Sequence, residues 1–236
     1  MVYKRTGFTQ IINLITPATC FLCQRSITAE STLCRACSND LHRPGNSCCR
    51  CGRPLTSGSI CSYCYQQPPA VDRLICAFDY RYPVDRLIKI FKYNQQLTIT
   101  KLLGRQLVDE VIKVSTCYPE RIIPVPMHPY RYLARGFNQS IEISAYIAHE
   151  LGIKADFNLV ERARNTRPQY SLDPGQRKRN VKRAFRLKYP PGIKSVAIID
   201  DVVTTGATIN EIARTLKRAG ISRVEAWVCA SANQAF

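Results

Sequence analysis

Apolar positions along this chain follow two periods, and the switches between them mark its elements. "VDRLICAFDY" (71–80) reads as a buried strand, and "PVDRLIKIFKY" (83–93) as a helix with proline in its first turn. A second helix is predicted over 97–115. "RIIPVPM" (121–127) is a short buried strand whose prolines keep it from running deep into a sheet. "NQSIEISAYIAHELG" (138–152) is a helix closed by Gly152. After "DFNLV" comes a stretch rich in Asn, Gln, Pro and Gly that is expected to be mobile. "SVAIID" (195–200) is a fully buried strand, "GATINEIARTLKRAG" (206–220) a helix ending in Gly220, and "RVEAWVCA" (223–230) a last strand. Strands alternating with helices predict an α/β fold with a mainly parallel sheet in three layers.

The pattern changes before Pro68-Pro69. Nine of the twelve cysteines lie between Cys20 and Cys64, so the chain divides into a cysteine-rich module (1–67) and an α/β domain (68–236). Four Cys-x-x-Cys pairs, Cys20/Cys23, Cys34/Cys37, Cys48/Cys51 and Cys61/Cys64, are separated by ten, ten and nine residues. Each such turn aims two sulfurs at one tetrahedral metal, so the four pairs predict two structural zinc ions. Spacing permits sequential or cross-braced pairing, and Cys49 is surplus. Four-sulfur sites offer no open position for water, so this zinc is structural rather than catalytic. Ahead of the first pair, "MVYKRTGFTQIINLITPATC" is interrupted by Gln10, Asn13 and Thr16. It reads as a short amphipathic helix rather than a signal peptide, and no apolar run is long enough for a membrane span. Paired cysteines and no leader together predict a cytoplasmic protein.

Charge adds a partner. The formal net charge is +17, and between Glu161 and Lys194 eleven Arg or Lys face two acids. Two zinc ions on eight thiolates would contribute about −4, which still leaves a large cationic surplus. Such clustering points to a polyanion. The densest run is Arg177, Lys178, Arg179, Lys182 and Arg183, the candidate contacts for such a polyanion's phosphates. Tyr80, Tyr82, Phe91 and Tyr93, interleaved with Arg81, Lys89 and Lys92, offer base stacking, although core packing suits most of them better.

The most specific stretch is "VAIIDDVVTTGATI", Val196 to Ile209. A buried parallel strand ending in Asp200-Asp201, then a small-residue turn, then a helix, puts both features at the carboxyl edge of the sheet. The helix start offers unpaired N–H groups, Thr204, Thr205 and Thr208 add hydroxyls, and Gly206 and Ala207 let backbone come close. That combination suits a phosphate. The two carboxylates do not, because like charges repel, but they suit the vicinal hydroxyls of a sugar. A sugar phosphate satisfies both halves, and at a strand end the aspartates have no other evident partner.

This stretch resembles the signature of the type I phosphoribosyltransferases, which bind phosphoribosyl pyrophosphate. Together with the cysteine pairs, "PVPMHPYRYLARGFNQS" and "RPQYSLDPGQRKRNVKRAF", the whole chain resembles the ComF family. That resemblance implies a double zinc ribbon joined to a phosphoribosyltransferase-fold domain. It implies that Asp200 and Asp201 hold the ribose hydroxyls, and that Thr204, Thr205, Gly206, Ala207 and Thr208 hold the sugar's phosphate. The turn at Met127 and His128 would meet the pyrophosphate, assisted by Arg131 and Arg135. The basic stretch around 164–180 would close over the site, and magnesium would bridge pyrophosphate and ribose oxygens. The implied function is a competence protein of natural transformation, acting on incoming single-stranded DNA alongside a competence helicase or other transformation proteins. The alternative is a phosphoribosyltransferase with an unknown acceptor. Nothing in the sequence displays a base-recognition site, and His128 is expected in a turn rather than as a catalytic base.

Overall fold

The computed structural model describes residues 18–28, 31–94, 97–127, 132–133, 136–164 and 174–232. The expected N-terminal helix, His128, Arg131 and Arg135 lie outside them. Four near-continuous apolar runs form the central sheet: β1 (Arg73–Asp79), β2 (Arg121–Pro124), β5 (Ser195–Val203) and β6 (Arg223–Ser231). All neighbours are parallel, in the order β1-β6-β5-β2. A strand buried on both faces has no polar face to alternate with, which is why these runs carry no period of two. The two longest, β5 and β6, pair from Ser195 with Arg223 to Val203 with Ser231.

Helices cover both faces. On one side α3 (Val84–Asn94), α4 (Leu97–Val114) and α5 (Gln139–Leu151) bury Leu87, Phe91, Leu103, Leu107, Ile143 and Ile147. On the other, α7 (Ala207–Arg218) lays Ile212, Ala213 and Leu216 on Val196, Ile198 and Val224. The start of α5 is fixed by Asn138, whose side chain accepts from Ser140 N at 3.1 Å and donates to Val125 O at 3.1 Å. The three-layer, mainly parallel arrangement is the fold class the periodicity predicts.

Two differences matter. β5 does not stop at Asp200 but continues through both aspartates to Val203, because β6 is equally long and keeps pairing with it. The stretch expected to be mobile contributes to a two-stranded antiparallel sheet, β3 (Val160–Arg162) with β4 (Phe185–Leu187), and contains a helix, α6 (Pro174–Val181). Val181, Ala184 and Phe185 anchor this part in the core that α7 shares, and Arg183 N donates to Glu211 on α7 at 2.7 Å.

The cysteine module packs into the same body. It contains two five-residue helices, α1 (Arg35–Asn39) and α2 (Ser62–Gln66). Cys20, Leu22, Leu33 and Leu41 belong to the core cluster under α3 and α4. Arg43 pairs with Glu110 at 3.1 Å, bonds Gln106, and stacks over Phe78 with its guanidinium carbon 5.4 Å from the ring centre. The free edge of β1 is met by this module: Leu74 N donates to Cys49 O at 2.7 Å and Asp79 N to His42 O at 2.9 Å. An open strand edge is an aggregation hazard, and the module covers it. Among the described residues no helix is long and apolar enough to cross a membrane.

Candidate functional site

The sulfurs resolve the pairing that spacing leaves open. Cys20, Cys23, Cys34 and Cys37 form one cluster and Cys48, Cys51, Cys61 and Cys64 a second, with sulfurs within 4.8 Å of one another in each. The pairing is sequential. Contacts of 3.7 Å between Cys23 and Cys34 sulfurs and between Cys51 and Cys61 sulfurs match the edge of roughly 3.8 Å that four ligands at about 2.3 Å from zinc would span. Cys34 and Cys61 also cap α1 and α2, their sulfurs accepting from Cys37 N and Cys64 N. Gly52, directly after Cys51, has φ +73°, and a Cβ there would sit 3.2 Å from both Leu74 Cδ2 and Ser231 Oγ. Only glycine fits both the tight knuckle and the contact with the sheet. The two four-cysteine clusters fit two structural zinc ions. Cys49 belongs to neither, and its backbone serves the β1 edge instead.

The second centre lies where β5 meets α7. Gly206 takes φ +62° to turn the chain into α7, and as the N-cap it brings no side chain of its own to the helix start. The first N–H groups of a helix carry partial positive charge and favour an anion. A small hollow is lined by Asp200 and by Thr204, Thr205, Gly206, Ala207 and Thr208, which brings these expected residues together, while Asp201 is not part of its lining.

The aspartates are not without partners, contrary to the expectation for a strand end. Ser140 Oγ on α5 donates to Asp200 Oδ1 at 2.9 Å, and Asp201 N donates to the same oxygen at 3.0 Å. Lys92 Nζ on α3 lies 3.0 Å from Asp201 Oδ2, and Val202 N donates to Asp201 Oδ1 at 2.8 Å. Burial, and then the neighbouring charge of Asp201, push the Asp200 carboxyl up to about 7, against the bonds from Ser140 and Lys92's charge. Burial pulls the Lys92 ammonium down, yet Asp201 outweighs it and the net shift is upward. A carboxyl beside a lysine, next to a second one that burial holds above its ordinary range, is a centre that can accept hydroxyl hydrogen bonds.

Sequence reading missed Ser140 and placed Lys92 among possible base contacts. The available signal was that Lys92 lies four residues after Ile88 and next to Phe91, at the border of the buried stripe of α3. Phe91 itself is core, 6.2 Å from the Phe137 ring, as the packing reading of that aromatic group expects. Met127 lines a separate cavity of about 440 Å³ with Pro126, Tyr132, Phe157, Arg162 and Lys188. Of the basic run, Arg177 and Lys178 lie in α6, and Arg179, Lys182 and Arg183 are exposed with no ion pair among the described residues.

Comparison with known proteins follows this division. The double zinc ribbon domain family matches residues 11–65. DNA utilization protein YhgH of Salmonella typhimurium is 36% identical over 220 residues, covering 91% of this chain and 97% of that protein. Competence protein F of Haemophilus influenzae is 32% identical over 224 residues, covering 90% and 96%. Among solved structures, adenine phosphoribosyltransferase from Leishmania tarentolae aligns over 68% of this chain and 76% of its own, with 15% identity and a TM-score of 0.37. Relatives that match from the zinc ribbon through the sheet, at this identity and over nearly their full length, place the chain in the ComF family.

Proposed function

We propose that this protein binds phosphoribosyl pyrophosphate at the β5–α7 centre and single-stranded DNA on its cationic surface, in the cytoplasmic handling of incoming DNA. Its relatives are named for competence and DNA utilization, which supports a role in that process. The observation that carries the ligand reading is the acidic pair running directly into a glycine turn and a helix start, with Asp200 and the threonine turn around one hollow. Asp200 and Asp201 would accept from the ribose hydroxyls, and the turn from Thr204 to Thr208 would hold the sugar's phosphate. Magnesium would supply charge neutralisation at the pyrophosphate. Asp201 already has Lys92 as its cation at 3.0 Å, which suits an ion that takes most of its oxygens from ligand and water. The basic run from Arg177 to Arg183 would contact DNA phosphates.

A transferase reading rests on the same centre, since a site that holds a phosphoribosyl group can pass it to an acceptor. Calorimetric titration with phosphoribosyl pyrophosphate and magnesium tests the proposal. Saturable binding in wild type and weakening by about 1.5–3 kcal/mol for each of Asp200→Ala and Asp201→Ala is expected. Unchanged affinity in a folded double variant would remove the assignment. Repeating the titration with single-stranded DNA present shows whether the two ligands act together.

A further inference from the structure

A second cleft lies against the outside of the same turn. α2 of the zinc module and the start of α7 enclose about 180 Å³, lined by Tyr63, Gln67, Thr205, Asn210 and Arg214 along with the Pro68-Pro69 link. Thr205 and Ala207 border both this cleft and the phosphate hollow. Ala70 N donates to Asn210 Oδ1 at 2.7 Å, which fixes the link to α7. Such a volume is below that of a typical small-molecule pocket, so it suits one ring system rather than a whole cofactor. Its aromatic wall is already cation-backed, with the Arg53 guanidinium 5.6 Å from the Tyr63 ring centre. Residues 41–71 contain no Asp or Glu, and Arg50 and Arg53 offset the charge of about −2 that a zinc-loaded four-cysteine site carries. Arg214, half-exposed and 3.7 Å from Glu211, and Arg218 continue the cationic line at helical spacing from Asn210.

We infer that this cleft takes one unstacked base of a single-stranded nucleic acid against Tyr63, with Arg53 and Arg214 on the flanking phosphates. The inference rests on the reading that the protein binds single-stranded DNA, and it adds a path that the basic run on α6 does not supply. A base can enter such a cleft only when it is out of a duplex, so single strands are favoured over double strands. Thr205 and Ala207 are shared, so any coupling between DNA in the cleft and a sugar phosphate in the hollow is reciprocal.

The test is fluorescence anisotropy with a labelled oligothymidylate on the zinc-loaded full chain across a salt series. Three variants are compared with wild type: Arg53→Gln/Arg214→Gln, the exposed Gln67→Glu, and Tyr65→Ala. Tyr65 is 84% exposed on the other side of α2 and serves as the control. Loss of two phosphate contacts should lower the log–log salt slope by about 1.4 and the affinity about 25-fold at 0.1 M salt. Gln67→Glu should weaken binding and Tyr65→Ala should not. If wild type binds and the cleft variants bind equally well, the inference fails, the DNA path lies elsewhere, and the cleft is left for a protein partner. If wild type binds no oligonucleotide even at low salt, the DNA reading fails and takes the inference with it. Zinc content and circular dichroism of each variant separate both outcomes from misfolding.

Discussion

At the scale of single residues, the acidic pair is a centre whose ionisation is tuned by its neighbours. Asp200, pushed up to about 7 by burial and by Asp201, starts from an ordinary value of 3.8. A carboxyl whose folded value is raised in this way costs stability, and the cost grows as pH rises from about 4 and is complete above about 7. Asp200→Asn removes it. The variant's advantage in melting temperature should therefore grow across that window and level off beyond it, and a difference independent of pH would contradict the burial argument. Lys92 acts in the opposite sense. Its side chain is 24% exposed and that of Asp201 9%, so Lys92→Met leaves a mostly buried carboxylate without its cation. A loss of about 1–3 kcal/mol in urea unfolding is expected, with much of it recovered when Asp201→Asn is added. Ser140 left no signal in the sequence: it and Asp200 are sixty positions apart, and only the fold brings them within 2.9 Å. The aspartates and the threonine turn were legible because they are contiguous, and their function depends on one strand-to-helix junction.

At the scale of elements, long apolar strands and helices could be read from periodicity because each buries enough surface to impose a pattern. The β3–β4 pair has three residues per strand, and α6 is a short helix that places Val181 in the core, so neither leaves a periodic trace. Their order comes from contacts with α7, which local pattern does not record. The zinc knuckles were legible for the opposite reason, since each is a four-residue chemical motif. What the motif did not reveal is that Gly52 also touches the sheet. Gly52→Ala would place a Cβ 3.2 Å from Leu74 and Ser231 at φ +73°. Left-handed backbone alone costs roughly 1–2 kcal/mol for alanine, so the variant should release zinc to a chromogenic chelator faster than wild type. Equal release rates would mean that the knuckle and the sheet are energetically independent.

At the scale of the whole molecule, more than half of the formal charge of +17 falls between Glu161 and Lys194. Replacing Arg177, Lys178, Arg179, Lys182 and Arg183 by glutamine should shrink the log–log salt slope of single-stranded DNA binding by about 3.5 if all five phosphate contacts are lost, and by less if fewer are made. An unchanged slope would move the path off α6 altogether. The cover that the zinc module provides for β1 has a consequence for how the chain is made. Among the described strands β1 pairs with β6 along one edge, from Arg73 with Glu225 to Asp79 with Ser231, and β6 is the last of them to be made. The residues that cover its other edge, Cys49 and His42, precede β1 in the chain. One edge of this apolar strand can thus be closed as the chain emerges while the other waits for β6, and zinc supply bears on the first edge alone.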